Sequence, residues 1–439
     1  MSRPFDSLQT FVSEPYLGLS RWLTVRTLDR KAQRRAATAP YDADADAGGL
    51  LYVAASALPY HTSGYTTRTH EVIRAMASAG GRVHALTRPG YPFDRIDRLH
   101  DALNEETQVG EVRYLHAAGP ANNRPVLLYA MQAARVVAQW AKKQRVSVIH
   151  AASNHVNALP ALLAARQLGI PFQYEMRGLW ELTRISRTPH YEGRQGFRQG
   201  LELEGLVARH ADRVFVISEQ LGRFARARWG IDKERMFLLP NCVEPERFAS
   251  FASQEIEHDT IGYAGSLMAY EGLDTLIDAV AQLRARGVRI SVSLIGDGEA
   301  RVSLESQVQR LGLSEQIRFL GRMAPQKAQE ALSRCALVCI PRKPFKVCEI
   351  VPPIKLVEAM AMGKPVIVPD LPVFRDEMGE RPAGWFFKAG DPTALARVIE
   401  TAMSDRAALA AMGEWAKEYA TTQRCWRDFV IEALPKSAG

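Results

Sequence analysis

The sequence predicts an α/β chain built from two successive doubly wound units, each a parallel sheet covered by helices on both faces. Three observations carry this. Short apolar runs of strand length alternate with apolar-periodic runs of helix length from residue 50 to residue 217, the pattern of consecutive β-α-β units. The same alternation starts again at residue 260 and runs to residue 368. Finally, 439 residues, 47% hydrophobic and 24% charged, are enough for two to four domains that each bury a core. That composition excludes a disordered or collagen-like chain.

In the first unit, 50–53 reads as a buried strand and 66–79 as a helix stopped by Gly80-Gly81. Strand 82–87, helix 126–144, strand 146–150, helix 158–168, strand 171–175, helix 197–210 and strand 213–217 follow, with Ser218 placed to cap the next helix. The second unit reads as strand 260–264, helix 273–286, strand 289–295, helix 299–311, strand 317–320, helix 327–333, strand 336–340, helix 354–362 and strand 365–368. The join falls at 240–259. The helical stretch 393–433, with Trp415, Tyr419, Trp426 and Phe429, is longer than the second unit needs. It either packs there or straps back onto the first unit. The division expected is an extension and linker 1–48, a first domain 49–240, a second domain 241–412 and a crossover helix 413–439. Ligands of such sheets bind outside the carboxyl ends of the strands, so the cleft between two units is the expected site.

Residues 1–48 differ from the rest. Arg21, Arg26, Arg30, Lys31, Arg34 and Arg35 are interleaved with Leu17, Leu19, Trp22, Leu23, Val25 and Leu28, followed by the alternating run Asp42-Ala43-Asp44-Ala45-Asp46-Ala47. The segment is either a packing helix or arm, or a basic amphipathic helix on an anionic membrane surface. A net charge of +8 favours anionic partners. No run of five or six like charges suggests a nucleic-acid arm. Five cysteines without a CxxC spacing argue against a disulfide framework or zinc site and for a reducing, cytoplasmic setting. Met1 to Thr10 lacks a signal-type apolar core. No run of 18 apolar residues could span a bilayer, so any membrane contact is expected to be peripheral.

The chemistry-bearing residues cluster after strands. Ser63-Gly64 follows the first strand and opens a helix, whose free amides favour phosphate. Gly262-Tyr263-Ala264-Gly265-Ser266 and Ile295-Gly296-Asp297-Gly298-Glu299 repeat this layout. None is a GxGxxG or P-loop fingerprint, but three such turns together suit a nucleoside diphosphate. In 352–368, Lys355 and Glu358 stand three apart on one helix face. Lys355 can neutralise a phosphate and Glu358 can accept from two ribose hydroxyls; alternatively they form a surface ion pair. Arg177 follows a strand at its carboxyl end, where it either faces the cleft or bridges to Glu175 or Glu181.

The run Lys355-Leu356-Val357-Glu358-Ala359-Met360-Ala361-Met362-Gly363-Lys364-Pro365-Val366 closely resembles the donor-binding segment of glycosyltransferase family 4, retaining enzymes of GT-B fold. Ser63-Gly64, Leu239-Pro240-Asn241, Gly262 to Ser266, Ile295 to Gly298 and Phe319-Leu320-Gly321-Arg322 fall in the family's order. The likeness is strong in the second unit and looser in the first. Tyr174-Glu175-Met176-Arg177-Gly178-Leu179-Trp180-Glu181 and Tyr270-Glu271-Gly272-Leu273 look like a bacterial branch acting on surface polysaccharide. The resemblance implies two Rossmann-like domains with a C-terminal helix crossing back. It implies a nucleotide-sugar donor, a UDP-sugar by family usage, and a glycan or lipid-linked acceptor, with no cofactor or metal. It places Glu358 on the donor ribose, Arg322 and Met323 beside the base, Gly298 near ribose or base, Gly64 behind the diphosphate, and Ser63, Gly265 and Ser266 in the donor-binding turns.

Three departures stand out. The family's diphosphate-clamping Arg and Lys are Ser266 and Glu271 here, so the charge must come from Lys355, or from Arg342, Lys343 or Lys346. The position eight before Glu358 is Ile350. Either the adjacent Glu349 supplies the carboxylate, or backbone amides from Glu349 through Ile350 to Val351 hold the sugar. The family's His-x-His reads His150-Ala151-Ala152, leaving His155 as a substitute or as a plain helix-start residue. The residues expected to carry catalysis are thus Lys355, Glu349, Arg177 and His155. A GT-B epimerase or glycogen-synthase-like enzyme, and a non-catalytic nucleotide- or glycan-binding subunit, are the alternatives on this fold.

Overall fold

The computed structural model describes residues 4–34, 48–98, 100–102, 104–253 and 255–435; the aspartate–alanine run at 42–47 lies outside the described residues. The chain divides into two compact units, one of Met1–Ile217, Gly222–Leu239 and Phe429–Gly439, the other of Ser218–Leu221 and Pro240–Asp428.

The first unit is built on β1 (Gly49–Ala54), β2 (Val83–Thr87), β3 (Glu106–Val109), β4 (Val112–Leu115), β5 (Val146–Ala152), β6 (Phe172–Met176), β7 (Arg213–Val216) and β8 (Met236–Leu238). They form one sheet in the order β3-β4-β2-β1-β5-β6-β7-β8. Every neighbouring pair is parallel except β3 with β4. The central strands are apolar runs because both sheet faces are covered; β1 is buried along its whole length. Its helices are α1 (Pro4–Gln33), α2 (Gly64–Ser78), α3 (Val126–Lys143), α4 (His155–Leu168), α5 (Trp180–Arg187) and α6 (Gln195–His210); α7 (Glu219–Trp229) follows β7. Ser218 does cap α7, its Oγ accepting from the Leu221 amide at 3.1 Å.

The β3–β4 hairpin was not among the expected strands. It is an edge ribbon of Glu106, Thr107, Gln108 and Val109 turned at Gly110, and β3 has no buried residue. Such a polar edge has no apolar run to announce it, and polarity there discourages pairing with other chains. α4 also starts three residues earlier than the periodicity suggests, at His155, because the Asn154 side chain caps it.

The second unit has β9 (Glu257–Ala264), β10 (Ser291–Ile295), β11 (Ile317–Gly321), β12 (Cys335–Cys339), β13 (Val366–Pro369) and β14 (Gly384–Phe387), in the order β11-β10-β9-β12-β13-β14. All pairs are parallel. Its helices are α8 (Leu273–Ala285), α9 (Arg301–Arg310), α10 (Pro325–Ser333), α11 (Lys346–Ile350), α12 (Ile354–Ala361), α13 (Pro372–Met378), α14 (Pro392–Ser404), α15 (Arg406–Gln423) and α16 (Trp426–Val430). Ile261, Val292, Leu294, Leu337 and Ile367 from the strands meet Leu276, Val280, Leu395 and Ile399 in one core.

The C-terminal stretch is broken into several helices. Asp405 ends α14 and caps α15, accepting from the Ala408 amide at 2.9 Å. α15 packs within the second unit, so tightly that a Cβ on Gly413 would lie 2.4 Å from the Gly363 carbonyl oxygen. The return to the first unit therefore starts at Phe429, later than the expected crossover at 413. There Arg213 Nη1 donates to the Glu432 carbonyl at 2.5 Å. Among the described residues no helix is long and apolar enough to cross a membrane.

Candidate active site

Because every strand of the second unit runs the same way, all carboxyl ends lie along one edge. The adjacent strands β11-β10-β9-β12 deliver Arg322, the 296–298 turn, the 265–266 turn and Arg342 to that edge. The two glycine turns pack on each other. The Gly265 amide donates to the Ile295 carbonyl at 2.9 Å and the Leu267 amide to the Asp297 carbonyl at 3.0 Å. Gly296 has φ +134°, and a Cβ on it would sit 1.9 Å from the Gly265 carbonyl oxygen, so only glycine fits. Ser266 is exposed, Met323 is half-buried, and Arg322 extends into solvent with Nη2 3.9 Å from Asp297 Oδ2. The Gly298 amide is taken by Asp297 Oδ1 at 2.9 Å.

α12 starts after Pro353, which occupies the capping position just outside the first turn. Leu356, Val357, Ala359 and Met360 face the core, which turns Lys355 and Glu358 to the other side; the Lys355 side chain is only 13% exposed and Glu358 is half-buried. Lys355 Nζ donates to Tyr263 OH at 2.7 Å and to Glu271 Oε2 at 2.9 Å. Tyr263 OH donates onward to the Ser266 carbonyl at 3.0 Å. Glu271 Oε1 accepts from Arg342 Nη2 at 2.9 Å, and Arg342 Nη1 reaches the Val351 carbonyl at 2.9 Å. Gly272 makes this meeting possible: its φ is +74°, and a Cβ would fall 1.9 Å from the Pro341 carbonyl oxygen.

The cluster thus holds two cations and one carboxylate, all in one unit. Burial alone would raise the Glu271 pKa, but Arg342 and then Lys355 overcome it and drive it down to about 2. Burial lowers the Lys355 pKa; Glu271 opposes that, Arg342 adds to it, and the net shift is downward. The other candidate cations have partners of their own. Lys343 Nζ lies 2.6 Å from Asp274 Oδ2, and Lys346 Nζ 2.8 Å from Glu349 Oε2. Glu349 sits on α11 in that pair. The Glu349 and Val351 amides donate to the Phe345 and Val347 carbonyls at 3.2 and 2.9 Å, so neither is open to a sugar. Ile350 is buried, and its carbonyl accepts from Ser218 Oγ at 2.5 Å.

In the first unit, β1, β5 and β6 bring Ser63-Gly64, His155 and Arg177 to one edge. Ser63 caps α2 reciprocally with Thr66: the Ser63 amide donates to Thr66 Oγ1 at 2.9 Å. Arg177 is buried. Its Nε and Nη2 donate to the two Glu175 oxygens, each at 2.9 Å, and Nη1 to Thr69 Oγ1 at 2.7 Å and the Tyr65 carbonyl at 3.1 Å. In place of a substrate-facing guanidinium, Arg177 makes the salt bridge to Glu175. Arg68 shares the same carboxylate at 2.9 Å and donates to the Leu239 carbonyl at 2.6 Å. Tyr52 OH donates to Glu175 Oε2 at 2.6 Å, and His150 Nε2 stands 3.3 Å from it. Burial opposes the charge on Glu175, yet Arg177 and Arg68 hold its pKa well below the usual carboxylate range.

His155 is also buried, its amide and Nδ1 both on Glu204 Oε1 at 2.8 and 3.1 Å. Glu204 takes the Tyr174 hydroxyl as well. Burial pulls the His155 pKa down, but the Glu204 hydrogen bond and charge, with Glu181, raise it overall. His155 is therefore not the solvent-exposed helix-start residue of the plain reading. Sequence reasoning missed Arg68, Tyr52, Glu204 and Tyr263. A signal existed for Arg68: it lies four before Val72 on the buried face of α2.

Two family descriptions match successive stretches of the chain: "Glycosyl transferase 4-like domain" over residues 63–242 and "Glycosyl transferases group 1" over residues 246–419. The chain is 26% identical over 239 residues to the putative glycosyltransferase EpsF of Bacillus subtilis, covering 51% of this chain and 57% of that protein. It is 33% identical over 129 residues to a phosphatidyl-myo-inositol mannosyltransferase of Mycobacterium leprae, covering 29% and 33%. The alignments thus span about half the length of the first relative and a third of the other. Among solved structures, a sucrose-phosphate synthase from Thermosynechococcus elongatus superposes with a TM-score of 0.71 at 19% identity, covering 88% of this chain and 97% of that one. Anabaena HepE in complex with UDP-glucose superposes with a TM-score of 0.62 at 20% identity, covering 88% and 98%. With both matched regions, the two parallel-sheet units and these neighbours in agreement, the chain belongs to the family 4-like glycosyltransferases of GT-B fold.

Proposed function

We propose that the protein is a retaining glycosyltransferase that moves a sugar from a UDP-sugar to a glycan or lipid-linked acceptor in bacterial surface-polysaccharide synthesis. The observation that carries this reading is the Lys355–Glu271–Arg342 cluster beside the interlocked glycine turns of β9 and β10. Two buried cations share one carboxylate, which leaves one positive charge at the edge where such sheets bind ligands. Family placement supports the transferase class. The structure of HepE with UDP-glucose supports the donor, and the likeness to EpsF supports a role in glycan assembly.

In this reading Glu358 accepts from the donor's ribose hydroxyls. Lys355, held by Tyr263 and Glu271, stabilises the charge that builds on the diphosphate as the anomeric C–O bond breaks. Arg322 and Met323 lie beside the base. The acceptor hydroxyl attacks from the face that the diphosphate leaves, and its proton passes to the departing phosphate oxygen. No protein nucleophile and no metal takes part. Arg177 and His155 act as positioning residues, fixing the loops after β6 and β5 through Glu175 and Glu204.

The test is product analysis by NMR with a panel of sugar nucleotides and short glycan or lipid-phosphate acceptors. The reading expects acceptor-dependent release of UDP and a product with the donor's anomeric configuration. Inversion, or conversion of the donor without any acceptor, would overturn it in favour of another mechanism or an epimerase.

A further inference from the structure

The described part of α1 lies against α3, α4 and α6 of the first unit. Leu28 and Ala32 are fully buried there, the Ala32 carbonyl accepts from Arg166 Nε at 3.1 Å, and His210 Nε2 stands 2.8 Å from Asp29 Oδ1. The docking is thus fixed by packing and polar contacts on one side. The other side is unusual. Leu19, Trp22 and Leu23 are 56, 52 and 48% exposed, and Leu128 of α3 is 45% exposed. A groove lined by Leu19, Leu23, Thr24, Thr27 and Leu127 runs between the two helices. Exposed side chains of this size, grouped on neighbouring elements, mark a surface that is covered in use.

Charge identifies the cover. The same outward stripe of α1 continues into Arg26 and Arg30, with exposed Arg34 directly after the helix, and the Arg26 guanidinium lies 4.8 Å over the Trp22 ring. From Gly18 to Arg34 the only acid is Asp29, already paired with His210; α3 carries Arg135, Lys142 and Lys143 and no acid at all. A Trp and leucines flanked by arginines, with Asp29 the one acid between Gly18 and Arg34 and none on α3, suit the interface of an anionic bilayer: apolar tips enter the acyl boundary while guanidinium groups meet lipid phosphates. We propose that the exposed stripe of α1, with Leu128, docks the first unit on an anionic membrane surface. This inference is independent of the transfer reading, since it uses none of the residues of the candidate active site.

The full chain is assayed by flotation with vesicles of pure phosphatidylcholine and with vesicles holding roughly 30 mol% phosphatidylglycerol, an anionic content in the range that attracts basic segments. Brominated lipids report on the depth of Trp22. The proposal expects partition onto the anionic vesicles only, weakened by salt, and quenching of tryptophan fluorescence. L19S/W22S/L23S should lower the partition coefficient by about tenfold or more, since each lost side chain removes apolar area from the interface. These side chains are about half exposed, so its melting temperature should fall by only a few degrees and the chain should stay folded. R26E/R30E, a second and fully polar surface change, should lower partition comparably. Absence of partition onto anionic vesicles, equal partition onto neutral ones, or full retention by both variants would each overturn the proposal.

Discussion

Glu271 Oε2 lies 2.9 Å from Lys355 Nζ, and the other oxygen of the same carboxylate lies 2.9 Å from Arg342 Nη2. The residue that stands where the family usually has a lysine is therefore not a gap in the site's charge. It is the anion that holds two cations from other parts of the chain in place. Removing it leaves both cations buried and mutually repelling.

That arrangement fixes a pH dependence. The Glu271 pKa falls from an ordinary value of 4.5 to about 2 in the folded chain. A depressed carboxylate stabilises the fold above its unfolded pKa and loses that contribution as pH falls towards the folded value. The second unit should therefore lose stability between about pH 4.5 and 2, by roughly 3 kcal/mol from this group. Glu271→Gln should already be less stable at neutral pH and should show a flatter acid limb. Thermal unfolding across pH 2–7 checks both; parallel curves for parent and variant would remove Glu271 as the source.

In the first unit, Glu175 is wholly buried between Arg68 and Arg177. Glu175→Gln would strand two guanidinium groups away from water. Breaking a buried pair of this kind costs about 3–5 kcal/mol, which lowers the melting temperature of a domain this size by roughly 10 °C. Calorimetry should show the loss in one transition. A variant that melts with the parent would mean that Arg68 and Arg177 find other partners at no cost.

Glu358 offers a contrast. It is half-buried on the outward side of α12. If it accepts from ribose, Glu358→Ala should raise the KM for the donor, by a factor of about 10 for one lost charge-assisted hydrogen-bonding group, with a change in melting temperature of only a degree or two. Steady-state kinetics with varied donor separates this from a structural role, which would move the melting temperature instead.

Much of the architecture was legible in the sequence, because strands buried on both faces are continuous apolar runs and the intervening helices have their own period. The β3–β4 hairpin was not, since Glu106, Thr107 and Gln108 form an edge strand with no buried residue. The candidate site was half legible. Lys355 and Glu358 announce themselves by spacing on one helix. The partners of Lys355 do not, because Tyr263 and Glu271 lie 92 and 84 residues away in sequence and reach it only when β9 and β12 pair and Gly272 lets the turn approach Pro341. Arg177 shows the converse. Its place at the end of β6 suggested a ligand contact, but the Glu175 carboxylate two residues back and the Tyr52 hydroxyl from β1 occupy its guanidinium.

The most direct test of the account is calorimetric titration of UDP into the parent chain and into Lys355→Met, a variant that keeps the unbranched side chain to within one atom and removes its charge. The account predicts saturable binding of UDP to the parent, and a loss of at least tenfold in affinity in the variant, from one charge-assisted contact worth about 1.5–3 kcal/mol. Equal affinity in the two proteins, or no binding of UDP or any other nucleoside diphosphate to the parent, would contradict it.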